Sequence, residues 1–472
     1  MELISKWVGL INDYLYGYLL VYLLLGVGVF LTFYLACPQV RLFRPIFTSL
    51  KGSKNDKNVE VSSFQAFAVG VGTRVGIGNI GGVALALILG GPGAIFWMWV
   101  VALIGMSTAL AESTLAQIFK VRSGPGAFRG GPAYYISQGL NSKVLAVAFA
   151  AITVFASGIA VPMVQINALS STLEAIHGIK PIYTAIIVVI LLAPVILGGL
   201  RSIARVSEML VPAMAIIYLT LTIVVIALNP LAALSALKTI VLSAFGVQST
   251  FAGIGAGIFV ALINGARRGL FSNEAGLGTS PNAAGTAAGS HPVNQGLVQA
   301  LGVFIDTILV CTATALLILI TGPDLLSGTP LTPDDAGSLT AQALTHSFGA
   351  WIGPLVSLII FIFAYTSAFG AYSYGQVSLD YLSRNKFLSW GYRVLVLIAC
   401  AYGAVKSLAL VWSISDIFLG LGAILNLYAL IRLAPWVKVA LRDWVAQGKG
   451  SEAVFKADKV KLPGELKSDI WY

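Results

Sequence analysis

One apolar stretch of this chain, Phe64 to Leu89 (FQAFAVGVGTRVGIGNIGGVALALIL), is long enough to cross a bilayer yet is interrupted at its centre. Gly70, Gly72, Gly76, Gly78, Gly81 and Gly82 crowd around Thr73, Arg74 and Asn79. In hydrocarbon, unwound backbone survives only where it is buried in protein or lines a cavity, because unpaired N–H and C=O groups are costly there. Glycines of this kind also let helices pack closely. Arg74 and Asn79 need polar surroundings, however, so the break predicts a site for a small polar solute or ion.

The break is one of many spans. The chain is 57% hydrophobic and 10% charged, with a mean hydropathy of +0.88. Recurring apolar runs predict an all-α integral membrane protein of about eleven transmembrane helices. These lie at roughly 16–36, 64–89, 94–120, 144–172, 182–199, 206–228, 248–271, 295–320, 351–377, 388–405 and 410–433. The N-terminus lacks a charged, short-apolar, small-residue cleavage pattern, so the first span is expected to be retained.

Lysine and arginine alternate between loops in a way that sets orientation. They cluster after the first span (Arg41, Arg44, Lys51, Lys54, Lys57), after the third (Lys120, Arg122, Arg129, Lys143), after the fifth (Arg201, Arg205), at the end of the seventh (Arg267, Arg268), after the ninth (Arg384, Lys386) and along the C-terminal tail. The long 321–350 loop has Asp324, Asp334 and Asp335 but no lysine or arginine. The N-terminus is therefore expected outside and the C-terminus in the cytoplasm. The net charge of +10 is accounted for by this bias without a nucleic-acid partner, and basic tail residues could touch anionic lipid.

Cys37, Cys311 and Cys400 lie far apart in or beside apolar spans, which suits small buried hydrophobes. His177, His291 and His346 form no metal-ligand spacing. A membrane-embedded enzyme would need a nucleophile with a base, or a metal cluster, and the sequence offers neither.

With the first span set aside, two sets of five remain, led by 64–89 and 248–271. An odd-numbered unit repeated in tandem must insert with opposite topology. The second leader (FAGIGAGIFVALINGARRGLFSNEAGLGTSP) is also glycine-rich, with Gly253, Gly255, Gly257, Asn264 and Gly265. Discontinuous helices at the head of two inverted halves point to a transporter's central site. The expected divisions are an N-terminal extra helix and loop (1–63), a first five-helix repeat (64–229), a second, inverted one (230–433) and a tail (434–472).

Four ordered segments, GNIGGVALALILGGPGAIFWMW (78–99), RGGPAYYI (129–136), RGLFSNEAGLGTSPNAAG (268–285) and VFIDT (303–307), resemble the signatures of the alanine or glycine:cation symporter family, the sodium:alanine symporters. The likeness runs from about Phe64 to Leu433. It implies the leucine-transporter fold, with its five-plus-five inverted repeat, and sodium-driven import of a small amino acid across a prokaryotic inner membrane by a protein functional as a monomer. By the same resemblance, the carbonyls of Gly72, Val75 and Phe363 with the hydroxyls of Thr366 and Ser367 are candidate Na+ ligands, hard oxygens of the kind sodium prefers. The two hydroxyls could equally bond to the preceding helical turn. Thr73, Gly76, Ile77, Gly78, Asn79 and Gln165 are candidate substrate contacts, although Gln165 could instead bridge helices. Ala371 stands where a tryptophan often caps the family's pocket, and Arg74 lies in the break. Together these two would suit a larger or acidic side chain.

Arg74 and Asp306 are charges near the predicted midplane and are expected to pair with each other. The alternative is that Asp306 holds a neighbouring helix while Arg74 reaches an unwound carbonyl. Glu112 and Glu274, nearer one end of their spans, read as packing or gating groups. A proton-coupled carrier would need a titrating carboxylate in the cavity, and Asp306 is the candidate. A channel would show pore-loop repeats or charged rings, which this sequence lacks.

Overall fold

A computed structural model describes residues 2–51, 59–246, 257–327, 331, 336–406, 409–448 and 450–472. Among these, eight helices are long and apolar enough to cross a membrane, and one bent pair makes a ninth span. In chain order the elements that matter here are α1 (Trp7–Tyr34), the bent pair α2 (Ser63–Arg74) and α3 (Ile77–Gly90), and α4 (Gly93–Ile118). A β-hairpin, β1 (Val121–Gly124) and β2 (Ala127–Arg129), and α5 (Pro132–Gly139) follow. Next come α6 (Lys143–His177), the shorter apolar α7 (Pro181–Leu197), α8 (Gly199–Leu228) and α9 (Pro230–Ala244). The second half holds α10 (Ile258–Asn273), α11 (Pro281–Ala284), α12 (Pro292–Thr321), α13 (Ala336–Phe348), α14 (Ala350–Leu382), α15 (Lys386–Val405) and α16 (Val411–Gln447). Nine of the eleven expected spans coincide with the eight long helices and the bent pair, while the one at 182–199 meets the shorter α7 and the one at 248–271 meets α10 from Ile258 on, its first residues lying outside the described ones. Backbone polarity in lipid has to be satisfied within the segment, which makes apolar length a strong predictor. The last helix runs through Gln447, well past the point where the apolar run thins.

The first predicted break is present. α2 and α3 meet at 54°. α2 begins with a capping box, in which Gln65 N–H donates to Ser62 Oγ at 3.2 Å and Ser62 N–H to Gln65 Oε1 at 3.0 Å.

Of the second predicted break, the described residues hold Gly257, Asn264 and Gly265. Gly253 and Gly255 lie outside the described residues, and from Ile258 to Asn273 the helix is continuous through Asn264 and Gly265. α10 ends at Asn273, and in the turn that follows Glu274 (φ 57°), Gly276 (φ 90°) and Gly278 (φ 77°) adopt left-handed backbone. Gly265 has a packing role, since a Cβ there would collide with the Ala94 carbonyl of α4. Asn264 donates to the Val260 carbonyl of its own helix.

The C-terminal segment 450–472 folds back onto the face that carries the end of α4. Ser468 Oγ donates to the Lys120 carbonyl (2.8 Å), Trp471 Nε1 to the Gln117 carbonyl (3.1 Å) and Phe455 N–H to the Ser290 carbonyl (2.9 Å). Lys120 Nζ sits 4.7 Å from the Trp471 ring centroid and 4.5 Å from that of Phe128, while donating to Gln117 Oε1 and the Ala287 carbonyl. Burial pulls the Lys120 ammonium down to about 7. The tail thus covers protein at the end of α4.

Candidate functional site

The break in the first span is held by side chains that satisfy its stranded backbone. Past Arg74 the chain leaves helical geometry at Val75 (φ −76°, ψ 82°) and is extended at Gly76. Gly76 N–H donates to Asn79 Oδ1 and Ile77 N–H to Gln165 Oε1, each at 3.1 Å. Gln165 on α6 therefore bridges helices and takes an N–H that a substrate carboxylate could otherwise have used. A Cβ at Gly76 would lie 2.8 Å from Ser367 Oγ and 3.1 Å from Gln165 Oε1, so only glycine fits between α6 and α14 here.

Arg74 and Asp306 form no ion pair, contrary to the expectation from their shared depth. Arg74 Nη1 donates to the Gln299 carbonyl (3.3 Å) and Oε1 (3.1 Å), and Nη2 to Ser280 Oγ (2.7 Å). Asp306 accepts instead from Asn79 Nδ2 (2.6 Å), Ser272 Oγ (2.8 Å) and Thr307 Oγ1 (2.7 Å). Both charges are buried, and short neutral donors and acceptors from other helices reach them first. Asp306 joins the first break, through Asn79, to the end of α10, through Ser272. Cys311 Sγ lies 3.3 Å from both of those partners, which makes it part of this polar cluster and more than an apolar filler.

Of the candidate Na+ residues, Gly72, Phe363, Thr366 and Ser367 lie where α2 meets the middle of α14, and Val75 follows at the break itself. Ser367 Oγ donates to the Thr73 carbonyl at 2.8 Å, and Thr366 Oγ1 to the carbonyls of Ile362 (2.9 Å) and Phe363 (3.2 Å). A Cβ at Gly72 would sit 3.5 Å from the Thr366 Cβ. Thr366 thus makes the bonds to its preceding turn that its sequence context allowed, and it does so against Gly72. Gly370, one turn on, is where the two helices touch: a Cβ there would strike Thr73 Oγ1.

Thr73, Arg74, Gly78, Gln165, Ser367 and Ala371 line one cavity with about 490 Å³ of space between protein atoms, part of it continuous with solvent. Gly76, Ile77, Asn79 and Asp306 stand behind that wall and do not line it. The sequence reading missed Ser157, Phe271, Ser272, Thr279 and Tyr374, which also line it, and it read Glu274 as a packing or gating group, whereas Glu274 lines the same cavity as Arg74. Ser157 and Asp306 each lie in a π-helical turn, Ala156–Ala160 and Phe304–Cys311. Such turns mark functional sites often, but they leave no periodicity to read. For Glu274 and its neighbours the SNEAG run was the available signal.

Glu112 belongs to a separate buried network. Its carboxylate accepts from Asn426 Nδ2 (2.9 Å) and Gly276 N–H (3.3 Å), and Asn426 accepts from Tyr135. This ties α4, the turn after α10, α5 and α16 together. Among the described residues no group of three or more His, Cys, Asp or Glu side chains could hold a metal ion.

A helical membrane protein with a broken span whose backbone, side chains and cavity converge near mid-helix is built as a transporter. The sodium:alanine symporter family profile matches residues 1–457, and the chain belongs to that family. It is 40% identical to the amino-acid carrier protein AlsT of Bacillus subtilis over 99% of this chain and 97% of that one. It is likewise 40% identical to the "Probable sodium/glutamine symporter GlnT" of the same organism over 98% and 95%. The sodium/alanine symporter AgcS of Methanococcus maripaludis is 39% identical over 92% of this chain and 95% of its own. Among solved structures, a manganese transporter mutant from Eremococcus coleocola superposes with a TM-score of 0.51 at 17% identity, covering 84% of this chain and 82% of that one, which bears on the fold alone. The chain is a multi-pass membrane transporter of amino-acid symporters' kind, and not an enzyme.

Proposed function

We propose that this protein imports a small neutral amino acid with Na+ across a prokaryotic inner membrane, by alternating access between two inverted five-helix halves, N-terminus outside and C-terminus in the cytoplasm. It acts as a monomer without a nucleic-acid partner. The observation that carries the reading is the meeting of α2 and α14, where Ser367 and Thr366 hydroxyls, the Thr73 carbonyl and Gly72 share one contact beside the cavity. Hard oxygens from two helices at such a contact give Na+ a way to hold the helices together, so cation and substrate would each favour the arrangement that binds the other. One net charge moving inward through 100 mV would add about 2.3 kcal/mol of drive.

The alternative substrate, an acidic amino acid, is disfavoured by Glu274 in the same cavity as Arg74. Proton coupling through Asp306 is disfavoured by its place behind the cavity wall, where it does not meet the solute space. The test is uptake of labelled amino acids into proteoliposomes with Na+, K+ or H+ as the sole inward gradient. Na+-specific uptake is expected, with Thr366→Ala and Ser367→Ala raising the Na+ concentration needed for half-maximal rate. Equal uptake on a proton gradient without Na+ would overturn the reading.

A further inference from the structure

We infer that the C-terminal segment 450–472 is a reversible brake on transport: docked, it holds the start of α2 in place and keeps the face proposed as cytoplasmic closed. The inference rests on the proposed alternating access and adds a regulatory element to it.

The start of α2 is gripped by several elements on this face. Glu60 N–H donates to the Gly126 carbonyl (2.8 Å), and the Glu60 carboxylate accepts from Arg129 Nη1 (2.7 Å). Arg129 Nε reaches Asp380 near the end of α14 at 2.6 Å. The Val61 carbonyl accepts from Ala288 N–H (3.1 Å), and the Ser63 carbonyl from Gln295 Nε2 on α12 (2.9 Å). Packing beside the grip is loose. Val61, just ahead of α2, and Val69 within it border about 240 Å³ of space between protein atoms, together with Leu200 of α8 and Ser373 and Val377 of α14. A helix end that hydrogen bonds hold beside an open seam moves when those bonds yield.

The tail braces two of the holding groups, Ala288 and Gln295. Trp471 Nε1 donates to the Gln117 carbonyl, and Gln117 Nε2 and Lys120 Nζ both meet the Ala287 carbonyl (3.0 and 2.9 Å), one residue before Ala288. Asn294 Nδ2, one residue before Gln295, donates to the Ser451 carbonyl of the tail at 3.1 Å. Contacts therefore run without a gap from Trp471 to Val61. The tail itself is a weak element. It has three short 3₁₀ turns and no longer helix, so it can leave its seat without breaking a helix. The seat also buries Lys120 under the Trp471 ring and His291 under the Phe455 ring, each base only 1% exposed, which is costly for groups that water would solvate. Both features make docking reversible.

A contact that favours the closed form of one face slows the step that opens it and enriches the form that takes solute from the other side. Docking should therefore lower the maximal rate and the half-saturating concentration together. A tail that only stabilised the fold would change the amount of active protein and leave the half-saturating concentration unchanged.

The experiment uses the full-length protein, with Cys37→Ser removing the half-buried thiol, in proteoliposomes with an inward Na+ gradient and labelled alanine or labelled glutamine as probe. Arg122→Cys and Asp469→Cys replace two exposed side chains that lie 3.6 Å apart between β1 and the tail. The two thiols are joined by a short bifunctional disulfide-forming reagent before reconstitution and released with reductant in a matched sample. Joining is expected to lower both parameters on the order of 5-fold relative to the released sample. Trp471→Ala, which removes the bond to Gln117 and the ring over Lys120, is expected to raise both. The joined and released samples are the same variant, so their comparison decides the matter even where Trp471→Ala fails to fold. Equal or higher values in the joined sample would overturn the inference and leave Na+ symport standing. A Trp471→Ala protein with a lower maximal rate and an unchanged half-saturating concentration would do the same. Absence of Na+-driven uptake of every amino acid in the released sample would overturn the symport reading and this inference with it.

Discussion

Asp306 is a buried carboxylate supported entirely by neutral donors. Asn79 is the critical one, because its amide closes two gaps at once: Oδ1 takes the Gly76 N–H and Nδ2 serves Asp306. Asn79→Ala would remove one of the three donors to Asp306 and leave the Gly76 N–H with the Arg74 carbonyl alone, at about 0.5–1.5 kcal/mol for the neutral bond and about 1.5–3 kcal/mol for the one to the carboxyl group. A markedly lower apparent melting temperature is expected, larger than for Thr366→Ala, whose hydroxyl bonds mainly within its own helix. Because Arg74 and Asp306 rely on different partners, exchanging them (Arg74→Asp with Asp306→Arg) is expected not to restore uptake lost in either single variant. Recovery to wild-type rates in the double variant would contradict the geometry described here. Both charges stood out in the sequence, but their partners did not. Gln299, Ser280 and Ser272 come from distant segments, and nothing in local spacing singles them out.

At the level of elements, the start of α12 contains a proton-sensitive joint. His291 Nδ1 accepts from Val293 N–H at 3.1 Å as an N-cap, and Nε2 lies 3.1 Å from Asp443 near the end of α16. The cap requires Nδ1 to be unprotonated, so the proton sits on Nε2 and points at Asp443. Burial pulls the imidazole down to about 4, against a smaller upward pull from Asp443. The unfolded chain, with histidine near 6.5, then binds more protons than the folded one between about 6.5 and 4. Stability should fall as pH drops through that window, and His291→Gln should flatten the dependence in a melting series. No lowering of the melting temperature between pH 6.5 and pH 4 would count against it. Elements themselves were well marked by hydropathy. Glycine was the weaker guide, because it marks close packing as readily as unwinding: Gly265 lies inside a helix, while α10 gives way at Glu274, a residue with no intrinsic preference for left-handed backbone.

Across the whole molecule, the tail, the end of α4 and the segment after α11 form one assembly. Gln117 Nε2 donates to the Ala287 carbonyl, Lys120 to the same carbonyl, and Trp471 to the Gln117 carbonyl. Phe455, Leu466 and Trp471 are buried, each contributing roughly 1.5–3 kcal/mol by removal from water. Ending the chain after Gln447 is therefore expected to lower the apparent melting temperature and speed proteolysis near Lys120, while membrane insertion persists. Unchanged melting would show that the tail adds nothing to stability. The sequence alone determined that the chain is a membrane protein, roughly where its helices run and that the first of the long spans after the N-terminal one is broken. Those properties follow from hydrophobic length and from backbone groups that lipid cannot satisfy, both of which are local. Only the tertiary structure decided which polar groups meet. The cavity brings Arg74, Ser157, Glu274 and Ala371 from four separate helical regions to one wall, and the tail buries three scattered apolar residues that show no periodicity. Such contacts depend on how distant segments pack, and side-chain reach across a packed interface leaves no trace in the spacing of residues along the chain.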